Sequence, residues 1–222
     1  PPRSTLDRSS AASDVYKRQV MGTASTMACI SEVLGIMLSG GAATPAADSR
    51  RLALAEKTGN TAVEMVNKQI KIGEILSESA FYNAIKVLLA LGGSTNAVIH
   101  LTAIAGRFGI NLDLDIFDKL SREIPVIVNL KPTGDYLMED FFYAVGLRAV
   151  IKRLLDKGLL YEEALTVNGK TLKENNSKSV CWNDDVIRTF DNPLTKDGGI
   201  KVLKGNIAPD GAILKPSAAS PH

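Results

Sequence analysis

Residues 27–38, MACISEVLGIML, are apolar on nearly every side of a helix, with Ser31 and Glu32 the only polar side chains. A helix that is apolar all round must be packed from several directions. The rest of the chain therefore has to supply layers around it. Material is available, since 45% of the 222 residues are hydrophobic. Aromatics are only 5%, so Ala, Leu, Ile and Val must build that core. From Val20 to Ala47 the only charge is Glu32, a stretch long enough to cross a bilayer. Ser, Thr, Gly and Pro45 interrupt it, so a buried helix between small-residue loops is the better reading than a membrane span.

Thr23, Ser25 and Thr26 offer capping hydroxyls at the start of this helix, and Gly40-Gly41 offer a stop. Asp48 can cap a next helix, SRRLALAEKT, ended by Gly59. A further helix from Asn60 or Thr61 puts Ala62, Met65, Val66 and Ile70 on one face, with Gln69 the polar exception. Ser77 caps a fourth, whose stripe is Phe81, Ile85, Leu88 and Leu89 and whose end is Gly92-Gly93. Ser94-Thr95-Asn96 opens a fifth, running to about Arg107. PVIVNL, 125–130, is a β-branched run after a proline and predicts a strand. LMEDFFYAV and LRAVIKRLLDKG predict helices as far as Gly158.

Helices alternating with a short apolar strand indicate an α/β layer. The texture changes after about residue 164. LTVNGKTL reads as two short strands around an Asn-Gly turn. VIRTF, GIKVLKG and GAILKP are further β candidates separated by Asn-Pro, Gly-Gly and Pro-Asp-Gly turns. The expected organisation is a leader over 1–19, an incomplete α-rich α/β domain over 20–164 and the beginning of a mostly β domain over 165–222.

The leader, PPRSTLDRSSAASDVYKRQ, has no apolar periodicity and no apolar core of a signal peptide. It reads as a disordered tail or a foreign junction, and both ends of the chain read as cut. Twenty-six Lys and Arg stand against 24 Asp and Glu, a balance that argues against nucleic-acid binding through a basic surface. Cys29 and Cys181 lie far apart, giving neither a disulfide framework nor a metal-ligand spacing. A reducing, cytoplasmic compartment fits that usage.

Two hydroxyl-rich helix starts are the local features best suited to a ligand. Gly92-Gly93-Ser94-Thr95-Asn96 pairs a tight turn with free N–H groups and hydroxyls that can hold an oxygen-rich or anionic molecule. Gly22-Thr23-Ala24-Ser25-Thr26 is the second. Plain helix capping is the alternative for both. Asp48, Arg50 and Arg51 join a carboxylate to two guanidiniums, a set suited to carboxylate recognition or to a solvated helix face. His100 is open to an acid–base role or a structural one among Val98, Ile99 and Leu101. Tyr136, Glu139 and Asp140 surround a helix start, where acidic residues suit the macrodipole.

Several long motifs, in order, resemble the dihydroxy-acid and sugar-acid dehydratase family, which includes phosphogluconate dehydratase. They are MGTASTMACISEVLGIMLSGGAATPAADSRR, ALGGSTNAVIHLTAIAGRFGI, LTVNGKTLKEN, DNPL and GNIAPDGAILKPSAAS. The likeness runs from about Val20 to His222. NLKPTGDYLMEDFFYAVGLRAVIKRLL and KPSAASPH are most similar to the sugar-acid branch, that of L-arabinonate dehydratase. The branched-chain amino-acid branch is the competitor.

The resemblance implies an α/β domain followed by a β-barrel-like one. It implies a hydro-lyase that removes water from a 2,3-dihydroxy acid to give a 2-keto-3-deoxy acid, with an iron–sulfur cluster and Mg2+ as cofactors. It further implies a small-molecule sugar acid or dihydroxy acid as partner, no nucleic acid, no membrane, and a homo-oligomer at full length. Thr23, Ser25, Thr26, Ser94, Thr95 and Asn96 match its motifs and become substrate-pocket candidates. The family's third cluster cysteine stands three positions before the residue that is Met21 here, and this chain has Arg18 there. Its other cysteines, acidic magnesium ligands and lysine lie upstream of the matching segment, and its serine base lies downstream of His222. No catalytic base and no metal ligand therefore carries over. The chain by itself is expected to bind neither cofactor and to be inactive; a non-catalytic relative that has lost the cluster is the remaining alternative.

Overall fold

The computed structural model describes residues 19–219, so the expectations for the leader up to Arg18 lie outside the described residues. What it describes is a helix-rich, incomplete α/β unit. Among the described residues nine α-helices follow one another: α1 (Thr23–Val33), α2 (Arg50–Asn67), α3 (Ile72–Ile75), α4 (Glu78–Leu91), α5 (Asn96–Arg107), α6 (Leu114–Ser121), α7 (Met138–Tyr143), α8 (Leu147–Asp156) and α9 (Leu172–Asn176). Two short strands, β1 (Lys201–Leu203) and β2 (Ala212–Leu214), pair antiparallel, with Val202 opposite Ile213.

The centre of the packing is α4. Ser77 Oγ accepts the Ala80 N–H at its start, and Gly92 ends it at φ 57°, as the caps predict. Burial extends beyond the expected stripe to ten of its 14 residues, because α1, α5, α6 and α8 all pack on it. Phe81, Phe117 and Phe141 are fully enclosed, and each contributes roughly 1.5–3 kcal/mol by leaving water. Asn83 is also fully buried, where it imitates a backbone partner. Its Nδ2 donates to Tyr161 O at 2.9 Å and its Oδ1 accepts Tyr161 N–H at 2.8 Å.

Three expectations need correction. First, α1 stops at Val33, not at Gly40-Gly41. Gly35 turns at φ 84° against residues far along the chain, where a Cβ would lie 2.5 Å from Leu165 O, and its carbonyl accepts Val167 N–H. Second, Gly59 does not divide 50–67, which is one helix. Gly costs only about 1 kcal/mol in an exposed helix. Thr58 and Thr61 on either side donate their hydroxyls one turn back, to Leu54 O and Lys57 O. That helix buries only Thr61; Val66 of the expected apolar face is 76% exposed, and Ile70 lies past the helix end.

Third, residues 125–130 are buried and extended but form isolated bridges rather than a strand. Val126 bridges Thr195 and Val128 bridges Ile187, so VIRTF also contributes a single bridge. LTVNGKTL forms one bridge, Leu165 with Thr171, before Thr171 caps α9 through the Glu174 N–H. GIKVLKG and GAILKP do form strands, namely β1 and β2. Among the described residues no helix is long and apolar enough to cross a membrane.

Candidate functional site

The two hydroxyl-rich helix starts meet. None of the hydroxyls of Thr23, Ser25 and Thr26 caps α1, whose N-cap is Gly22. Two of them reach across to the other motif instead. Thr23 Oγ1 shares a hydrogen bond with Ser94 Oγ at 2.9 Å and accepts Asn96 Nδ2 at 3.0 Å. Thr26, fully buried, accepts the Ser94 N–H on its Oγ1 at 3.0 Å. Ser94 Oγ in turn accepts the Asn96 N–H at 3.3 Å. Ser25 points the other way and donates to Val20 O at 2.9 Å. Thr95 is the N-cap of α5, and its side chain makes no capping bond.

The glycine pair makes this junction possible. Gly92 takes the left-handed conformation that ends α4, while Gly93 is needed for close approach. A Cβ on Gly93 would lie 2.8 Å from both Thr26 Cγ2 and Leu88 Cδ1. From the opposite side the turn is covered by the last part of the chain. A Cβ on Gly199 would lie 2.6 Å from Gly92 Cα. The half-buried Lys215 donates to Gly92 O at 2.9 Å and Gly93 O at 3.3 Å. Burial lowers the Lys215 ammonium below its ordinary value. Lys215 was not among the sequence candidates; a lysine between an apolar β run and a proline was the only signal.

Beside Ser25 lies a cavity of about 380 Å³, lined by Gln19, Ser25, the loop 42–47, Arg51, Met138 and Glu139. Asp140 caps α7 through the Leu137 N–H, so only Glu139 of that acidic pair joins the lining. The Asp48 group separates in a similar way. Asp48 pairs with Arg50 through Nε at 2.8 Å, and this bond holds its carboxyl at about 2. Arg51 turns to the cavity loop, donating to Gly41 O at 3.2 Å and to Thr44 O. His100 is exposed on α5 and is not part of this lining.

Glu32 is the one charged residue between Val20 and Ala47. It is 3% exposed, and its carboxylate accepts the Gly40 N–H at 2.7 Å and the Ala42 N–H at 2.8 Å. Burial pushes its carboxyl up to about 7, against the opposing pull of those N–H groups and of Arg148.

The described residues do not themselves fit an iron–sulfur cluster or a divalent ion. Cluster ligands are thiolates. Cys29 is fully enclosed in α1, and burial together with Glu32 drives its thiol far above the ordinary value. Cys181 is raised too, chiefly by burial. No group of three or more His, Cys, Asp or Glu among the described residues is gathered to hold a metal.

Comparison with known proteins gives a consistent likeness. The family model described as "Dihydroxy-acid/6-phosphogluconate dehydratase N-terminal" matches residues 10–175, and its C-terminal counterpart matches 185–222. An L-arabinonate dehydratase of Rhizobium leguminosarum bv. trifolii is 56% identical over 86% of this chain and 33% of its own length. An L-arabonate dehydratase of Azospirillum brasilense is 54% identical over 88% of this chain and 34% of its own. A dihydroxy-acid dehydratase of Thermodesulfovibrio yellowstonii is 50% identical over 91% of this chain and 36% of its own. The chain thus spans about a third of the length of these relatives.

Proposed function

The chain belongs to the dihydroxy-acid/6-phosphogluconate dehydratase family, and on that premise we propose that it is part of a longer hydro-lyase acting on a sugar acid. The reaction removes the C2 proton and the C3 hydroxyl of a 2,3-dihydroxy acid, and the resulting enol tautomerises to a 2-keto-3-deoxy acid. In this reading the residues described here form one wall of the substrate pocket. The base, the iron–sulfur cluster and the magnesium ion belong to parts of the protein outside residues 19–219. We also place the protein in the cytoplasm, as a homo-oligomer, with its domain boundary near residues 164–165.

The observation that carries the sugar-acid reading is the Thr23–Ser94–Asn96 junction. Thr and Ser hydroxyls each donate and accept, as the hydroxyls of a polyol do. An edge of such groups suits a substrate with several hydroxyls better than one ending in a branched alkyl group. The role of these side chains is to bind and orient, since only interactions stronger in the transition state accelerate the chemistry itself.

The test is an assay of the full-length gene product with arabinonate, xylonate, gluconate and 2,3-dihydroxyisovalerate. The expected result is a kcat/KM about tenfold or more in favour of a sugar acid, well within what a site built to hydrogen-bond a hydroxyl can reach. A preference for dihydroxyisovalerate moves the protein to the branched-chain branch. A colourless protein that turns over none of the four is a non-catalytic relative.

A further inference from the structure

The cavity wall at residues 40–47 reads Gly-Gly-Ala-Ala-Thr-Pro-Ala-Ala, and its only apolar hold on the core is the pair of small side chains Ala42 and Ala43. Polar contacts from two elements fix its backbone as well. On the inner side, Glu32 of α1 takes the Gly40 and Ala42 N–H groups on its two carboxylate oxygens. On the outer side, the Arg51 guanidinium of α2 holds the Gly41 and Thr44 carbonyls. Donors and acceptors alternate along the loop, so each residue from Gly40 to Ala42 is gripped from one side or the other. Thr44 adds an internal tie, donating its hydroxyl to Gly40 O at 2.9 Å.

A carboxylate is costly to bury, and an apolar side chain of similar volume avoids that cost. The same replacement would leave the Gly40 and Ala42 N–H groups without their acceptor. The ionisable groups facing Glu32 are Cys29 on its own helix and Arg148 from α8; the loop supplies none between Gly40 and Ala47. The arrangement therefore serves the loop rather than an ion pair.

We propose that Glu32 is a positioning residue for the cavity: with Arg51 it clasps the loop 40–47 from opposite sides and sets the wall that meets the substrate. It touches no substrate itself. The nature of that substrate rests on the dehydratase reading above, whereas the clasp does not.

Glu32→Gln in the full-length protein, compared at pH 8 where the Glu32 carboxyl is ionised, separates the parts. The variant keeps the volume but offers one carbonyl oxygen to two N–H groups and turns an NH2 toward one of them. Hydrogen exchange of the amides in 38–47 is expected to accelerate at least about tenfold, with the amides of α4 unchanged. KM is expected to rise about fivefold or more while kcat stays within about twofold, the signature of lost ground-state binding. Arg51→Lys keeps the charge, loses the fork and should move both readouts the same way. Unchanged exchange in 38–47, or an unchanged KM, overturns the proposal. If the Gln variant does not fold, exchange in the unsubstituted protein decides: Gly40 and Ala42 amides as fast as free ones would exclude the clasp. If the protein turns over none of the four acids, the dehydratase reading fails while the exchange result still judges Glu32.

Discussion

Thr26 Oγ1 accepts the Ser94 N–H at 3.0 Å, tying the first turn of α1 to the turn that follows α4. The threonine is fully buried, so water cannot easily replace it as acceptor. Its methyl group lies 2.8 Å from where a Cβ on Gly93 would sit, so hydroxyl and methyl have separate duties. Thr26→Val keeps the shape and removes the acceptor, and should cost about 1–3 kcal/mol. Thr26→Ser keeps the acceptor and should cost about 1 kcal/mol for the lost methyl group. Urea unfolding of the full-length protein measures both. A loss below about 0.5 kcal/mol for the valine variant would mean that the Ser94 N–H finds another partner.

Lys215 holds the other side of the same turn through Gly92 O and Gly93 O. Lys215→Met retains most of the apolar stem and removes the ammonium. Hydrogen bonds from charged donors contribute about 1.5–3 kcal/mol when buried, and half-burial lowers the expected loss to about 1–2 kcal/mol. Denaturation at low and high salt should give similar losses, because the partners are carbonyl dipoles rather than an opposite charge. A loss that vanishes in high salt would assign Lys215 to a long-range charge effect instead.

The Glu32 carboxyl titrates near 7 in the fold, against an ordinary 4.5. Between those values the folded state holds a proton that the unfolded chain releases. Its contribution to stability is therefore full below about pH 4.5 and is lost as pH rises through about 7. The total is on the order of 3 kcal/mol. Unfolding midpoints from pH 4.5 to 8 should show this fall in the unsubstituted protein and lose it in Glu32→Gln. Parallel curves for the two proteins would place the Glu32 carboxyl at an ordinary value.

Ser25 and Thr95 test the proposed substrate wall. Ser25 lines the cavity, and Thr95 begins α5 with its hydroxyl making no capping bond. Ser25→Ala and Thr95→Val should each lower kcat/KM by more than about twofold, a difference resolvable in steady-state kinetics. Smaller effects from both would leave these hydroxyls to local structure.

What could be read in advance follows the range of the forces involved. The ends of α4 were legible because Ser77 and Gly92 act on their own helix. The approach of two hydroxyl motifs was legible only as two separate helix starts, and their joining depends on α1 packing against α5. The early end of α1 was hidden because Gly35 answers to Leu165 and Val167, far along the chain. PVIVNL predicts a strand, and what forms is extended, buried backbone without one. Its partners at Ile187 and Thr195 are too irregular for a continuous ladder, which no pattern within 125–130 could reveal. Glu32 stood out as the one charge in an apolar stretch, yet the loop it holds carries no residue that names a partner.

The contact of Gly199 with Gly92, reinforced by Lys215, has a consequence for recombination between relatives. The C-terminal counterpart of the family model begins at residue 185, which makes the region before it an inviting crossover for chimeras. A donor segment with any side chain at the Gly199 position would push its Cβ into the backbone of the recipient's glycine turn. Such exchanges can succeed only when both halves inherit a matching pair. The module border in the sequence is therefore not a free seam in the folded protein.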